Sequence, residues 1–437
     1  MIYFDVTIIG GGAAGIFAAA VLAEKAPHLK VIVLEKANRP LAKVRVSGGG
    51  RCNLTHRCSS ITDFVKNYPR GGRELIGAFH RFGPAETIAW FEHHGVPLTM
   101  LENGCYFPQS DSSADVIRAL LQCGMNVRTD SEVAGIHKTE AGFCVQLVSG
   151  EQFSCKKLLI ATGGGAFVHG IGHTVESCVP SLFTFSTADQ EFTSLAGNVI
   201  DNVRVSALGC KAEGALLITH CGISGPVVLQ ASSFGARRFA ENRYVFEMKI
   251  NWKAAMNTEQ VFQVLEQFKV SSPKKRTGTW SPIGLPSKLW LLIVKRSGVN
   301  EACEWGSCAR KMLRQIAAQV TDFSLAITGK NTHREEFVTC GGIRLKEVDC
   351  KTMQSRLMPG LYFAGEVLDI DGLTGGFNLQ AAWTTGYLAA QSISSVNLDE
   401  AACAAPCKPN HPTPSRRIGT QNPSSRLSDC VAPADYR

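Results

Sequence analysis

The arrangement that most constrains this chain lies in residues 6–35. Val6-Thr7-Ile8-Ile9 is an apolar run that reads as a buried parallel strand. Gly10-Gly11-Gly12-Ala13-Ala14-Gly15 follows at once, and Ile16 to Leu22 reads as a helix. A second apolar run, Val31-Ile32-Val33-Leu34, ends on Glu35. Strand, glycine turn, helix, strand and acid, in that order, describe a dinucleotide-binding unit. Gly10 permits the tight turn, Gly12 leaves the backbone bare for a diphosphate, and Gly15 lets the helix pack on the strand. The helix start at Ala13 and Ala14 offers unbonded N–H groups and a partial positive charge to phosphates. Glu35 stands where a carboxylate can accept hydrogen bonds from a ribose diol. With 42 glycines in the chain, a lone Gly-x-Gly-x-x-Gly would mean little. The flanking strands and the acid carry the assignment.

At 437 residues the chain is too long for one ordinary core, so several domains are expected. Hydrophobic residues at 45% and charged residues at 19% suit a globular protein. No apolar run reaches the length of a membrane span, so no membrane partner is expected. The first core strand begins by Val6 with no basic stretch before it, from which a cytoplasmic protein is expected. The formal net charge is +8, but the basic residues are scattered, with local groups at Lys274-Lys275-Arg276 and Arg416-Arg417. A nucleic-acid face would cluster them, so nucleic acid is the less expected partner. The 16 cysteines include no Cys-x-x-Cys pair and no spacing suited to zinc, so no metal is expected.

A second glycine triplet follows closely. Lys43-Val44-Arg45-Val46-Ser47-Gly48-Gly49-Gly50-Arg51-Cys52-Asn53-Leu54-Thr55 suits a loop laid against a flat or charged ligand. Its backbone N–H groups can donate while Arg51 neutralises charge. Lys36 lies near the ribose and phosphate region. Cys52 reads better as a small packed residue than as a redox group, because no partner cysteine is in range.

These strings resemble the bacterial NAD(P)/FAD-dependent flavoprotein family, which has aminoacetone-oxidase-like and bile-acid-reductase-like members. The resemblance rests on Gly10 to Gly15, Glu35-Lys36 and Ser47 to Thr55. It continues through Gly104-Cys105-Tyr106-Phe107-Pro108, Thr219 to Pro226, Cys340-Gly341-Gly342-Ile343 and Gly360 to Asp369, about residues 1–397 in all. It implies an α/β fold: a Rossmann-like FAD-binding domain, with a parallel sheet and a crossover β-hairpin sheet, carrying an inserted β-barrel-plus-helical domain. It implies FAD as cofactor and an oxidoreductase that moves hydride between a small organic substrate and the flavin, which is re-oxidised or reduced either by transiently docked NAD(P)H or by oxygen. Only one complete glycine fingerprint is present, so no separate nicotinamide domain is expected.

Read in that frame, Val127 to Ile136 is a strand, and the backbone near Val133 would face the adenine. Phe143 to Leu147 with Gly150-Glu151 makes a hairpin. Lys157 to Ala161 is a buried strand running into Thr162-Gly163-Gly164, glycines that would pass close to the cofactor. The chain then goes almost directly to Gly170-Ile171-Gly172-His173, shorter than the resemblance implies by the length of a helix. Short alternating segments, among them Val199 to Val205, Gly209 to Lys211, Ala215 to Ile218 and Val245 to Ile250, suggest an antiparallel sheet or barrel. Helical patterns follow at Glu259 to Phe268, Lys288 to Lys295 and Ala309 to Val320. The expected domains are therefore 1–190 and 331–397 for FAD, 191–330 as the inserted substrate cap, and 398–437 as a disordered, proline-bearing tail.

The strand Leu361 to Ala364 ends on Gly365-Glu366. Gly375-Gly376-Phe377-Asn378-Leu379 then opens a helix whose dipole can point at a flavin ring. In such proteins the cofactor carries the chemistry, so no catalytic triad is expected. Arg51 is a candidate for tuning the ring, and His220 is the candidate acid–base group. An RNA-modifying flavoenzyme and a flavin-binding protein without turnover are the competing readings.

Overall fold

A computed structural model describes residues 2–164, 171–331 and 338–395. Part of the shortened stretch after Gly164 and the expected tail at 398–437 lie outside these residues.

The first core is built on a parallel sheet. Its central strand, Ile2–Ile9, is flanked by Val31–Leu34 on one side and Gln152–Ile160 on the other. Val127–Arg128 and Leu361–Phe363 extend it outward, both parallel. Val6, Ile8, Leu158, Leu159 and Ile160 have no exposed surface, as befits strands covered on both faces. Helix Ala13–Lys25 lies across this sheet and against the last helix, Phe377–Ser395. The contact is close: a Cβ on Gly386 would sit 2.6 Å from the carbonyl oxygen of Ala14. Phe17, fully buried, anchors an aromatic cluster with Phe82, Trp90, Phe91 and Trp383 at centroid distances of 4.8–6.1 Å.

The hairpin Val133–Thr139 and Gly142–Leu147 adds antiparallel to the start of Gln152–Ile160, so the crossover sheet shares a strand with the parallel one. Val127 to Ile136 is not one strand as expected. It breaks at 129–132 because that segment turns aside to bond the second strand's end: Ser131 N–H donates to Glu35 O at 2.9 Å and Asp130 N–H to Ala37 O at 3.1 Å.

The second core spans Phe183 to Ile327. Its antiparallel sheet runs Phe323–Ile327, Phe246–Asn251, Val199–Ala207, Cys210–Thr219, Gly222–Ser224, Thr184–Ser186, Gly329–Asn331. The segments expected at 209–211 and 215–218 are one strand, Cys210–Thr219. The first and last strands of this path are consecutive pieces of one segment, 323–331, interrupted at Thr328. Thr328 N–H still donates to Ser186 O at 2.9 Å, so the sheet closes on itself as a barrel. Helices Thr258–Ser271, Ser287–Arg296 and Arg310–Thr321 complete this core, with Trp252, Trp290 and Trp305 fully buried.

The chain leaves the first core along Val175–Ser181 and returns along Val338–Ile343. These two strands pair with each other, antiparallel. Among the described residues no helix is long and apolar enough to cross a membrane.

Candidate functional site

The glycine turn after the first strand has two kinds of glycine. A Cβ on Gly15 would lie 2.0 Å from Gly10 O, and one on Gly10 would lie 2.4 Å from Ala161 O; the fold itself excludes side chains there. Gly12 is different. Its backbone is ordinary, at φ −80°, and a Cβ there would meet no protein atom within 4 Å. Neither strain nor packing requires glycine at Gly12, and a side chain there would project into open space. The helix that starts beside it has no side-chain cap, so no side chain takes up the first N–H groups at Ala13 and Ala14.

Glu35 borders the same turn. One carboxylate oxygen accepts from Gly11 N–H at 2.6 Å and the other from Ala37 N–H at 2.8 Å. The carboxylate keeps further lone pairs for a diol. Lys36 is exposed beside it. Val133 is buried, two residues beyond Ser131, whose backbone is bonded to Glu35.

On the other side, Lys43 and Glu366 form an ion pair at 2.7 Å. Glu366 also accepts from Thr339 N–H at 2.7 Å, and a Cβ on Gly163 would come within 3.8 Å of its carboxylate. Thr162 Oγ1 is buried without a hydrogen-bond partner, an orphan at the end of the strand that passes under the glycine turn. Gly365 lies over the first helix, where its Cβ would meet that of Ala14 at 2.8 Å.

The 47–56 and 372–378 segments are brought together. Asn53 donates through its side-chain nitrogen to Thr55 O at 3.1 Å and accepts at its oxygen from Gly376 N–H at 3.2 Å. A Cβ on Gly376, at φ +93°, would lie 2.7 Å from the Thr55 backbone. Trp383 Nε1 donates to Leu54 O at 3.1 Å, and Thr55 Oγ1 donates to Gln380 at 2.6 Å. Asn378 closes the turn itself, accepting from Gly372 N–H and donating to Gly372 O, each at 2.8 Å. Phe377 is buried and Leu379 half-buried against the core. Gly49 and Gly50, like Gly12, face open space.

Arg51 folds back on its own loop. Its guanidinium lies 4.4 Å from the centroid of the Phe107 ring and 3.7 Å from Asp111, and its Nε donates to Gly48 O at 3.3 Å. Cys52 is fully buried, and burial pushes its thiol up to about 12. His220 is exposed in the turn between strands Cys210–Thr219 and Gly222–Ser224. Among the described residues, no hydrogen bond or ion pair joins it to the 47–56 or 372–378 segments.

Two features escape local sequence reading. His56 Nδ1 lies 3.1 Å from Gly375 O and 3.7 Å from Cys105 Sγ, with its ring 4.8 Å from that of Phe377. Burial holds its pKa below the usual 6.5, partly offset by the Gly375 carbonyl and reinforced by the charge of Arg57. The second feature is fully buried Asp371, paired in fork geometry with Arg70 and accepting from Ser181 Oγ at 2.7 Å. Arg70 also donates to Ser233 O at 2.7 Å, so the pair fastens the 372–378 turn to the second core. Burial raises the Asp371 carboxyl above its usual range, against the pull of Arg70 and Ser181. Arg237 adds a second tie, to Asp369 at 2.8 Å.

The profile of the HI0933-like protein Rossmann domain matches residues 4–392. The chain is 28% identical to a 3-dehydro-bile acid delta(4,6)-reductase of Clostridium scindens, over 89% of this chain and 98% of that protein. It is 30% identical to a ribosomal RNA dihydrouridine synthase of Escherichia coli, again over 89% and 98%. Among solved structures, a 3-ketosteroid delta1-dehydrogenase of Sterolibacterium denitrificans aligns over 91% of this chain and all of the other, at 13% identity and TM-score 0.48.

Proposed function

We infer the activity from this premise: the chain belongs to the HI0933-like family, through a Rossmann domain matched over residues 4–392. It is an FAD-dependent oxidoreductase. Our reading of its reaction is the saturation of a carbon–carbon double bond, with NAD(P)H as the electron donor. The activities named for both relatives end in such a bond being reduced.

The observation that carries the cofactor reading is the bare position at Gly12, where neither backbone nor packing calls for glycine. FAD fits the residues present. The uncapped helix start at Ala13 and Ala14 would take the diphosphate, and Glu35 the ribose. Gly49, Gly50, Gly375 and Gly376 would lie along the ring, with the Lys43–Glu366 pair and the orphan Thr162 hydroxyl at its edge. The second core, roughly 191–330, would act as the cap that shapes the substrate pocket.

Bound FAD would relay two electrons from a nicotinamide to the substrate. The chain's own part is position and protons. The last helix starts at Phe377 and aims its positive end toward the 372–376 turn. Asn53 and Asn378 hold that turn through three hydrogen bonds, one from Gly376 N–H to Asn53 and two between Asn378 and Gly372. Saturation adds one hydride and one proton across the double bond. His56, in contact with Gly375, and Cys105, 3.7 Å from His56, are the groups placed to hold that proton. His220 is the candidate on the cap side. Arg51, 4.4 Å over the Phe107 ring and 3.7 Å from exposed Asp111, is the candidate on the 47–56 segment for tuning the flavin ring.

The test is an absorbance spectrum of the purified protein followed by anaerobic titration with NADPH. Bleaching of a flavin band, reversed by an enone such as a 3-oxo-Δ4 steroid acid, supports the reading. Colourless protein that takes up no FAD refutes it.

A second reading places the double bond in a uracil of RNA. The 30% identity to the dihydrouridine synthase, over nearly its whole length, favours it. Reoxidation of NADPH-reduced protein by ribosomal RNA, with dihydrouridine found by mass spectrometry and no reoxidation by the steroid, would select this reading.

A further inference from the structure

Three helices of the first core end at one point on the surface. Glu24 is in the last turn of Ala13–Lys25, His94 caps the end of Pro84–His93, and Cys123 lies just past Ser113–Leu121. Their ligand atoms, a carboxylate oxygen, an imidazole nitrogen and a sulfur, all lie within 4.8 Å of one another. Glu24 Oε1 is 2.9 Å from His94 Nε2 and 3.9 Å from Cys123 Sγ. We propose that Glu24, His94 and Cys123 form a zinc site, with water completing the coordination.

The chemistry suits zinc. Carboxylate, imidazole and thiolate are its usual ligands, and a tetrahedral ion at normal bond lengths would space them about 3.3–3.8 Å apart. Small side-chain rotations bring the present spacings to that range. His94 is prepared for the role. Its Nδ1 faces Trp90 O at 2.7 Å and its ring stacks on Trp90 at 3.8 Å. Donation from Nδ1–H to that carbonyl fixes the ring with Nε2 toward the cluster, where it meets Glu24 Oε1 at 2.9 Å, and zinc would take the place of the Nε2 proton in that contact. Three helix C-termini also bring the negative ends of three dipoles to the same place, beside a carboxylate. A cation there would staple together the ends of the helix that opens the nucleotide site and two helices beside it. The site is separate from the Gly12 and Gly375 regions, so it stands apart from the proposed reduction.

The test is calorimetric titration of the purified full chain with zinc chloride, with bound metal counted after gel filtration. One zinc per chain is expected, with a rise in melting temperature. Cys123→Ser and Glu24→Gln should each weaken binding at least about tenfold and remove the thermal shift. Cys221→Ser, at an exposed thiol elsewhere, should change neither. Absence of stoichiometric binding overturns the proposal. So does unchanged affinity in Cys123→Ser, which would place the zinc on other thiols. Cys123→Ser and Glu24→Gln change partly exposed side chains, so they test the site even if a His94 variant fails to fold.

Discussion

His56 Nδ1 and the carbonyl oxygen of Gly375 lie 3.1 Å apart although 319 residues separate them in sequence. This contact ties the loop of the second glycine triplet to the start of the last helix. It opposes, without reversing, the effect of burial on a histidine at the proposed reaction site. Because burial lowers the His56 pKa, folding favours the neutral ring. The contribution of His56 to stability is therefore present above the unfolded value near 6.5 and lost as pH falls through the lower folded value. NMR titration should show its midpoint below 6.5. Replacing it with glutamine should flatten the melting profile in that acidic window. A midpoint above 6.5 would contradict the neutral ring.

Two glycines of the first turn should behave oppositely. Gly12→Val puts its side chain into open space, so the apoprotein should melt near the wild-type temperature. Its FAD affinity should drop on the order of 100-fold, equivalent to about 3 kcal/mol. Gly15→Ala drives a methyl to 2.0 Å from Gly10 O and should destabilise the fold itself, by about 2 kcal/mol or more. Equilibrium dialysis with FAD and apoprotein melting curves separate the two.

Asp371→Asn leaves the Arg70 guanidinium, only 12% exposed, without its counter-charge. A loss of about 3–5 kcal/mol is expected by denaturant titration. Ser181→Ala removes one of the hydrogen bonds to the same carboxylate and should cost about 1 kcal/mol.

Cys52 and Cys221 offer a labelling test. With its thiol buried and held up to about 12, Cys52 should resist iodoacetamide at pH 8 in the native protein and react once unfolded. Cys221 is exposed and, among the described cysteines, should be alkylated first. Peptide mass spectrometry reads both.

The parts of the site written in short-range pattern were legible from the sequence. Gly10 to Gly15 between two apolar runs fixes strand, turn and helix because every requirement acts within a few residues. The Gly375-Gly376 turn before the last helix is visible for the same reason. The alternating segments from Val199 onward signal an antiparallel sheet. Arg70 with Asp371, and His56 with Gly375, were not legible, because each pair is joined only by the tertiary fold. An arginine between Pro69 and Gly71 and an aspartate before Gly372 look like ordinary loop residues. The 129–132 break was missed because its cause is the Glu35–Ala37 backbone, a strand away.

The paired strands Val175–Ser181 and Val338–Ile343 mean that the chain passes to the barrel and back through a single doorway. Everything beyond that doorway can be lengthened, trimmed or exchanged without rethreading the nucleotide half. A chain threaded this way can keep one core and refit the other. The bile-acid reductase and the ribosomal RNA dihydrouridine synthase are each matched over 98% of their length by a chain threaded this way.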